Sequence, residues 1–166
     1  MKFLLSGASS TGKSTTAKIL SEKTGLPIID NISRTSPYEM HTVEHQKYMA
    51  DKVFETSQLD NHIMCRTPFD VWAYSIGFNI QNHAQDSRNA YLFAKSNPIV
   101  IYFPINVIPI VDDGFRPVSE ELNSVVDSEI RKQLMYYGVK YHMVGKGTPE
   151  ERAENIIKFM EESWQE

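Results

Sequence analysis

Residues 7–14 read Gly7-Ala8-Ser9-Ser10-Thr11-Gly12-Lys13-Ser14, a complete GxxxxGK[ST] loop, with Thr15 behind it and the apolar run Phe3-Leu4-Leu5 in front. The glycines let successive backbone N–H groups turn toward one anion, Lys13 reaches the outer phosphates of a nucleoside triphosphate, and the Ser14 hydroxyl can ligate Mg²⁺. The flanks agree with this reading. The run before the loop suits a strand and Ser14 to Lys23 suits a helix, which is the context the motif requires.

Outward from the loop, strand and helix signals alternate, and this points to a parallel sheet with helices on both faces. The first helix carries Ala17, Ile19 and Leu20 and stops at Gly25. Leu26 to Ile29 reads as a second strand ending at Asp30, Thr42 to about Ser57 as a helix, and His62-Ile63-Met64-Cys65 as a third strand. Thr67-Pro68-Phe69-Asp70 combines a threonine cap, a proline at the first helical position and a carboxylate three residues after the cap. Phe69, Trp72, Ala73, Ile76 and Ile80 follow as an apolar helical stripe, read as core.

Residues 81–97 are polar around the knot Ala90-Tyr91-Leu92-Phe93 and receive no element. Pro98 to Phe103 is a fourth strand, apolar on both faces, and Pro104 to Pro117, with three prolines, is a loop. A helix from Val118 to Gly138, a strand from Val139 to Val144 and the turn Gly145-Lys146-Gly147 follow. Thr148-Pro149-Glu150-Glu151 then opens a last helix whose Ala153, Ile156, Ile157, Met160 and Trp164 should face the core.

At 166 residues the chain suits one domain, 1–166, able to bury roughly 70% of its extended surface without staples. With 17 basic against 21 acidic residues, its net charge of −4 argues against a general nucleic-acid surface. Cys65 is the single cysteine, and the sequence has neither a signal segment nor an apolar run near the roughly 18 residues of a membrane span. These features suggest a cytoplasmic protein with no membrane partner.

In open α/β sheets ligands lie beyond the carboxyl ends of the strands. Those positions hold the phosphate loop, Asp30 with Arg34, Arg66, the Asp112 to Arg116 segment and Gly145 to Gly147. A phosphate cradle, carboxylates and separate arginines suit phosphoryl transfer, because arginine forks grip phosphate oxygens and charge neutralisation supplies most of the catalysis.

GASSTGKST at 7–15, Asp30, RTPFDVWAYS at 66–75, DDGFRP at 112–117 and GKGTPEER at 145–152 together resemble the small P-loop kinases of nucleosides and nucleotides, such as thymidylate and deoxynucleoside kinases. The resemblance implies the three-layer α/β/α sandwich of P-loop NTPases, with a five-stranded, mostly parallel sheet and a short lid at about 105–117. It implies that Arg66 touches the acceptor end, that Arg116 closes over the phosphates, and that the Gly145-Lys146-Gly147 turn lies against adenine. One position departs from the pattern: where the family has an acidic residue before the arginine, this chain has Cys65, and a neutral thiol is a poor ligand for Mg²⁺. Asp30 is then the candidate to hold the metal or take the acceptor's proton, with Asp112 or Asp113 as lid acids.

Two rival patterns exist. His41-Thr42-Val43-Glu44-His45 fits HxxEH, an inverted zinc-protease motif, and Cys65 with His62 or His142 would make a thiol–imidazole pair. The phosphate loop outweighs both. The expectation is a kinase using ATP and Mg²⁺, with Lys13, Asp30, Arg66 and Arg116 catalytic and Ser14 and Asp30 at the metal. The acceptor would lie near Arg34, Tyr38, Arg66, Phe69 and Trp72, whose aromatic rings would sandwich a base. Three arginines favour a deoxynucleoside monophosphate; a hydroxyl of a modified base or a DNA end is an alternative. From a different class come an ATPase or nucleotide switch without a small-molecule acceptor, and a binding module without turnover. Monomer and homodimer both fit.

Overall fold

The computed structural model describes residues 1–30, 32–107 and 119–165. In chain order the elements are β1 (Phe3–Ser6), α1 (Lys13–Thr24), β2 (Ile28–Ile29), a 3₁₀ turn (Ile32–Thr35), α2 (Val43–Ser57), β3 (Ile63–Met64), α3 (Pro68–Gly77), α4 (His83–Lys95), β4 (Ile99–Tyr102), α5 (Glu120–Tyr137), β5 (Lys140–Met143) and α6 (Pro149–Ser163). The strands pair in the order β2-β3-β1-β4-β5, and every pairing is parallel.

Side-chain alternation along the strands builds two cores, one on each face of the sheet. Phe3, Leu5, Ile63 and Ile101 point to the face covered by α1 and α6, where Ala17, Leu20, Ala153 and Ile156 meet them. Leu4, Met64, Val100 and Tyr102 point to the other face, against Met49 and Val53 of α2, Phe69 of α3, Phe93 of α4 and Val126, Ile130 and Leu134 of α5. The chain leaves β1 toward the first face and leaves the neighbouring β3 toward the second. Adjacent strands whose connections part in this way open a crevice at their carboxyl ends.

Local chemistry sets the element boundaries. Gly25 and Gly138 end α1 and α5 in the left-handed region, at φ 73° and 62°, where a side chain would be strained. Thr148 and Glu151 form a reciprocal capping box on α6.

Three expectations need correction. Residues 83–95 form α4, whose buried face is half polar: Asp86 and Asn89 beside Ala90 and Phe93. Asn89 Nδ2 donates to the Ala50 carbonyl at 3.1 Å, so a specific hydrogen bond does the work that an apolar stripe would signal in sequence. The stripe expected as core on α3 is core only in part: Ile76 is exposed and Ile80 lies beyond the helix's end. Trp164 caps the carboxyl end of α6 and is 59% exposed, beyond the last turn that the sheet covers.

Candidate active site

The phosphate loop fills the turn between β1 and α1, and its backbone is shaped by close approach. A Cβ on Gly7 would stand 2.5 Å from the Phe103 carbonyl oxygen, so only glycine fits between β1 and the end of β4. Ser10 and Gly12 take positive φ, 60° and 93°, and Gly12 caps α1 so that the helix's free N–H groups point into the loop. Lys13 Nζ lies along the loop, donating to the carbonyls of Gly7 at 2.6 Å and Ala8 at 2.5 Å. Ser14 and Thr15, on the first turn of α1, are exposed.

Helix α3 grips this loop at two points across the crevice. Asp70 is 1% exposed and accepts four hydrogen bonds: from the Ser6 hydroxyl, the Gly7 N–H and the Thr67 N–H at 2.8 Å each, and from the Thr67 hydroxyl at 2.7 Å. One turn later the Tyr74 hydroxyl accepts from the Ser9 N–H at 2.9 Å and pairs with the Ser9 hydroxyl at 2.7 Å. From α5, Asn123 Nδ2 donates to the Ser9 carbonyl at 3.2 Å. Sequence reasoning gave Asp70 only its role as a helix cap and assigned nothing to Tyr74 or Asn123. Partners that stand 63 to 65 residues away for the two α3 side chains leave no local signal.

Arg66 sits at the end of β3 with its guanidinium 5.5 Å from the Tyr74 ring centroid. Cys65 lies beside it. Burial pushes the Cys65 thiol up to about 11, Asp30 and Asp70 add to the effect, and Lys13 and Arg66 oppose it without winning. The group therefore stays protonated and is neither a nucleophile nor a ligand for a hard cation. Asp30 follows β2, where Ile29 pairs with Met64, so the next residues of the two strands, Asp30 and Cys65, are neighbours. Asp30 is exposed and borders a cavity of about 270 Å³ with Ile28, Ile32, Thr35 and Lys52.

The aromatic neighbourhood differs from expectation. Phe69 is fully buried, packed edge-on to Phe93 at 5.1 Å and stacked on Tyr137 at 5.8 Å, so it is core and cannot touch a base. Trp72 is two residues before Tyr74, which places it about 160° round the helix, on the face away from the loop. The rings on the loop's side are Tyr74, Phe78 and His41: Tyr74 and Phe78 stack at 6.1 Å, and Phe78 meets His41 at 4.1 Å. Tyr38, 49% exposed, packs edge-on to Tyr48 at 6.5 Å, and Arg34 is exposed on the 3₁₀ turn. Arg116, Asp112 and Asp113 lie outside the described residues.

The far ends of β4 and β5 are also organised. The Tyr102 hydroxyl donates to Asp127 at 2.5 Å and accepts from Arg131 Nε at 2.7 Å, while Asp127 also accepts from the Ile105 N–H at 3.2 Å. This fixes the start of the segment after β4. Arg152, 6% exposed, donates from Nη1 to the Gly147 carbonyl at 2.6 Å and so ties the exposed Gly145-Lys146-Gly147 turn to α6.

The rival patterns do not assemble. His41 precedes α2 with φ 65°, so it and His45 do not share a helix face. His45 Nδ1 pairs with the Ser36 hydroxyl at 3.0 Å, and burial, with the charges of Arg66 and His41, lowers its pKa. Among the described residues no three His, Cys, Asp or Glu side chains group as metal ligands. His62 lies at the opposite end of β3 from Cys65, and His142 is on β5, with β1 and β4 between.

A phosphate loop after the first of five parallel strands, with arginine at the end of its neighbour, defines a P-loop nucleotide-binding fold. The chain belongs to the AAA-domain family, whose model matches residues 2–152. No curated protein matches it by sequence. Among solved structures it is similar to deoxyadenosine kinase from M. mycoides with dCMP and dCDP bound (20% identity, TM-score 0.71, 98% of this chain and 99% of that one). It is also similar to the YorR protein from Bacillus subtilis in complex with phosphorylated GDP (16%, TM-score 0.72, 100% and 99%) and to shikimate kinase from Acinetobacter baumannii in complex with shikimate (16%, TM-score 0.65, 98% and 93%). The shared fold is that of small P-loop kinases. Among the described residues no helix is long and apolar enough to cross a membrane.

Proposed function

We propose that residues 1–166 act as one ATP-dependent kinase domain that transfers the γ-phosphate to a nucleotide or nucleoside acceptor, with a deoxynucleoside monophosphate as the favoured substrate. The observation that carries this reading is the Ser9–Tyr74–Arg66 chain: one tyrosine hydrogen-bonds the phosphate loop and carries the neighbouring strand's arginine on its ring. Donor loop and acceptor arginine are thereby held as one unit, which suits a reaction in which positioning and charge neutralisation do most of the work.

In this reading Lys13 neutralises the β- and γ-phosphates, Arg66 orients the acceptor, Arg116 stabilises the transferring group, and adenine rests on the Gly145 to Gly147 turn. Where the acceptor is a nucleoside hydroxyl, Asp30 takes its proton; a monophosphate acceptor attacks through an ionised oxygen and leaves Asp30 no proton to remove. Arg34 and Tyr38 border the acceptor, and Tyr74, Phe78 and His41 supply the aromatic wall first expected of Phe69 and Trp72. The donor set fits a water-rich Mg²⁺: Ser14 is exposed at the first turn of α1, Cys65 is protonated, and no carboxylate cage exists among the described residues. When bound, the ion would be held by the Ser14 hydroxyl and would supply charge neutralisation for the phosphates.

The fold relatives were solved with nucleotides in two cases and with shikimate in a third, so the acceptor has to be found by experiment. A screen with labelled ATP against nucleosides, deoxynucleoside monophosphates, shikimate and oligonucleotides, resolved by product mass, tests the proposal. One added phosphate on a deoxynucleoside monophosphate is expected. ATP hydrolysis with no phosphorylated product, unaffected by Arg66→Ala, would identify a switch or ATPase instead.

A further inference from the structure

We infer that the Ser9 and Tyr74 hydroxyls act together as one hydrogen-bond donor to the outer phosphate of the bound nucleotide. The Ser9 N–H donates to the Tyr74 hydroxyl at 2.9 Å, and the two hydroxyl oxygens lie 2.7 Å apart. A hydroxyl carries one proton and two lone pairs. The 2.7 Å contact therefore uses one of the two hydroxyl protons, whichever way it runs. If Ser9 donates, Tyr74 keeps its proton; if Tyr74 donates, Ser9 keeps its own. Among the described residues neither hydroxyl has a further partner, and both residues are half-buried rather than closed off. One O–H is left over in either arrangement.

The neighbours of the pair specify what it meets. Lys13 Nζ, the cation that reaches the outer phosphates, donates to the carbonyls of Gly7 and Ala8, the two residues before Ser9. On the other side the Arg66 guanidinium stands 5.5 Å from the Tyr74 ring centroid. The two hydroxyls thus link the cation of the donor loop to the arginine proposed for the acceptor, the interval a phosphoryl group crosses in transfer. Phosphate oxygens only accept hydrogen bonds, so a spare O–H complements them and gains strength from their charge.

The surroundings hold the pair in place before any nucleotide arrives. The Ser9 carbonyl accepts from Asn123 Nδ2 at 3.2 Å, so this one residue is fixed from α5 through its C=O and from α3 through its N–H. The two helices also touch closely beside these contacts: a Cβ on Gly77, three residues after Tyr74, would stand 2.7 Å from Leu122 Cδ1, one residue before Asn123. A donor positioned in this way needs no reorganisation during transfer. When Tyr74 keeps its proton, the Ser9 N–H on its oxygen polarises the hydroxyl and makes it a stronger donor. The inference rests on the reading that ATP occupies this loop, and it is independent of which acceptor receives the phosphate.

The γ-phosphate is read as the ratio of the ADP to the ATP dissociation constant, measured by calorimetry without acceptor. Ser9→Ala and Tyr74→Phe each keep one hydroxyl, and only the double variant has none. Tyr74→Phe also releases the Ser9 N–H, but the loosened loop weakens ADP and ATP together and cancels in the ratio. The ratio should fall in the double variant at least about tenfold further than the product of the two single effects, the loss of a hydrogen bond to a charged group. In the Tyr74→Phe background, Ser9→Thr should hold the ratio and Ser9→Val, of the same shape without the hydroxyl, should lose it; this comparison stands even where the alanine double variant does not fold. A double-variant ratio equal to the product of the singles, or equal ratios with Thr and Val, would overturn the inference and leave the kinase proposal intact. The expected ratios with no phosphorylated product in the acceptor screen would support the inference and overturn the kinase proposal alone. ATP that does not bind the parent protein would overturn both.

Discussion

Replacing Asp70 separates a helix cap from a clamp on the phosphate loop. In Asp70→Ala the hydroxyls of Ser6 and Thr67 can rotate to other acceptors, but the Gly7 and Thr67 N–H groups lose theirs while buried. At about 1–3 kcal/mol for each orphaned donor, the loss is about 2–6 kcal/mol, a large part of the roughly 5–15 kcal/mol that keeps a domain folded. Asp70→Asn is the sharper change. Its oxygen does best at the Oδ2 position, where it keeps three of the four donors, and this turns the amide NH₂ toward the Gly7 N–H. One donor then faces another at the first residue of the loop. The expected cost is about 1–3 kcal/mol in urea unfolding, with the slope unchanged, and about a tenfold loss of ATP affinity by calorimetry as Gly7 moves off its position. A folded Asp70→Asn protein that binds ATP as tightly as the parent would refute the clamp and leave Asp70 a capping residue alone.

Tyr74→Phe removes both contacts to Ser9 but keeps the ring beneath Arg66, so the KM for ATP should rise about tenfold with little change in unfolding midpoint; steady-state kinetics beside a urea melt check this. With the Cys65 thiol moved from its usual 9.0 to about 11, alkylation by iodoacetamide at pH 8 should run about 100-fold slower in the folded protein than in urea, followed by mass. Folded Asp86 titrates near 6 against 3.8 in the unfolded chain, so between those values the folded state holds the extra proton and stability falls as pH rises, by about 3 kcal/mol across the window. Buried His45 and His62 and half-buried His142, whose pKa values are lowered, act oppositely, losing stability as pH drops below 6.5, so the Asp86 contribution is read as the difference between urea-melt curves of wild type and Asp86→Asn from pH 4 to 7.

The elements legible in sequence were those whose signal is local. The phosphate loop, the glycine stops of α1 and α5, the proline-bearing starts of α3 and α6 and the apolar β4 all announce themselves within a few residues. α4 was not legible, because Asp86 and Asn89 occupy its buried face, Asp86 held by the helix's own cap residue Asn82 and Asn89 by the Ala50 carbonyl on α2. Phe69 and Trp72 belong to one apolar stripe, yet helix azimuth sends Phe69 into the core and Trp72 to an outer cavity, and azimuth depends on how α3 packs against α5 and the sheet. For Asp70 the local explanation was correct and incomplete: the cap accounts for Thr67, whereas Ser6 and Gly7 come into reach only once β1 and β3 pair.

That pairing also bears on which acid serves the reaction. Asp70 is buried and holds four donors, three on Oδ2 and one on Oδ1, so it is committed to the loop and the helix cap and turned away from solvent. Cys65, one residue from Arg66 and within reach of the Lys13 charge, is held neutral by burial. Of the two carboxylates whose charge reaches Cys65, only Asp30 is exposed. Register sets it beside Cys65 on the adjoining strand, where an acid could act without occupying the family's usual position. Among the described residues, elimination and register together leave Asp30 as the candidate base of the proposed reaction with a hydroxyl acceptor. In the proposed site, a neutral thiol at residue 65 would leave Lys13 and Arg66 with one fewer competing negative charge than a carboxylate there.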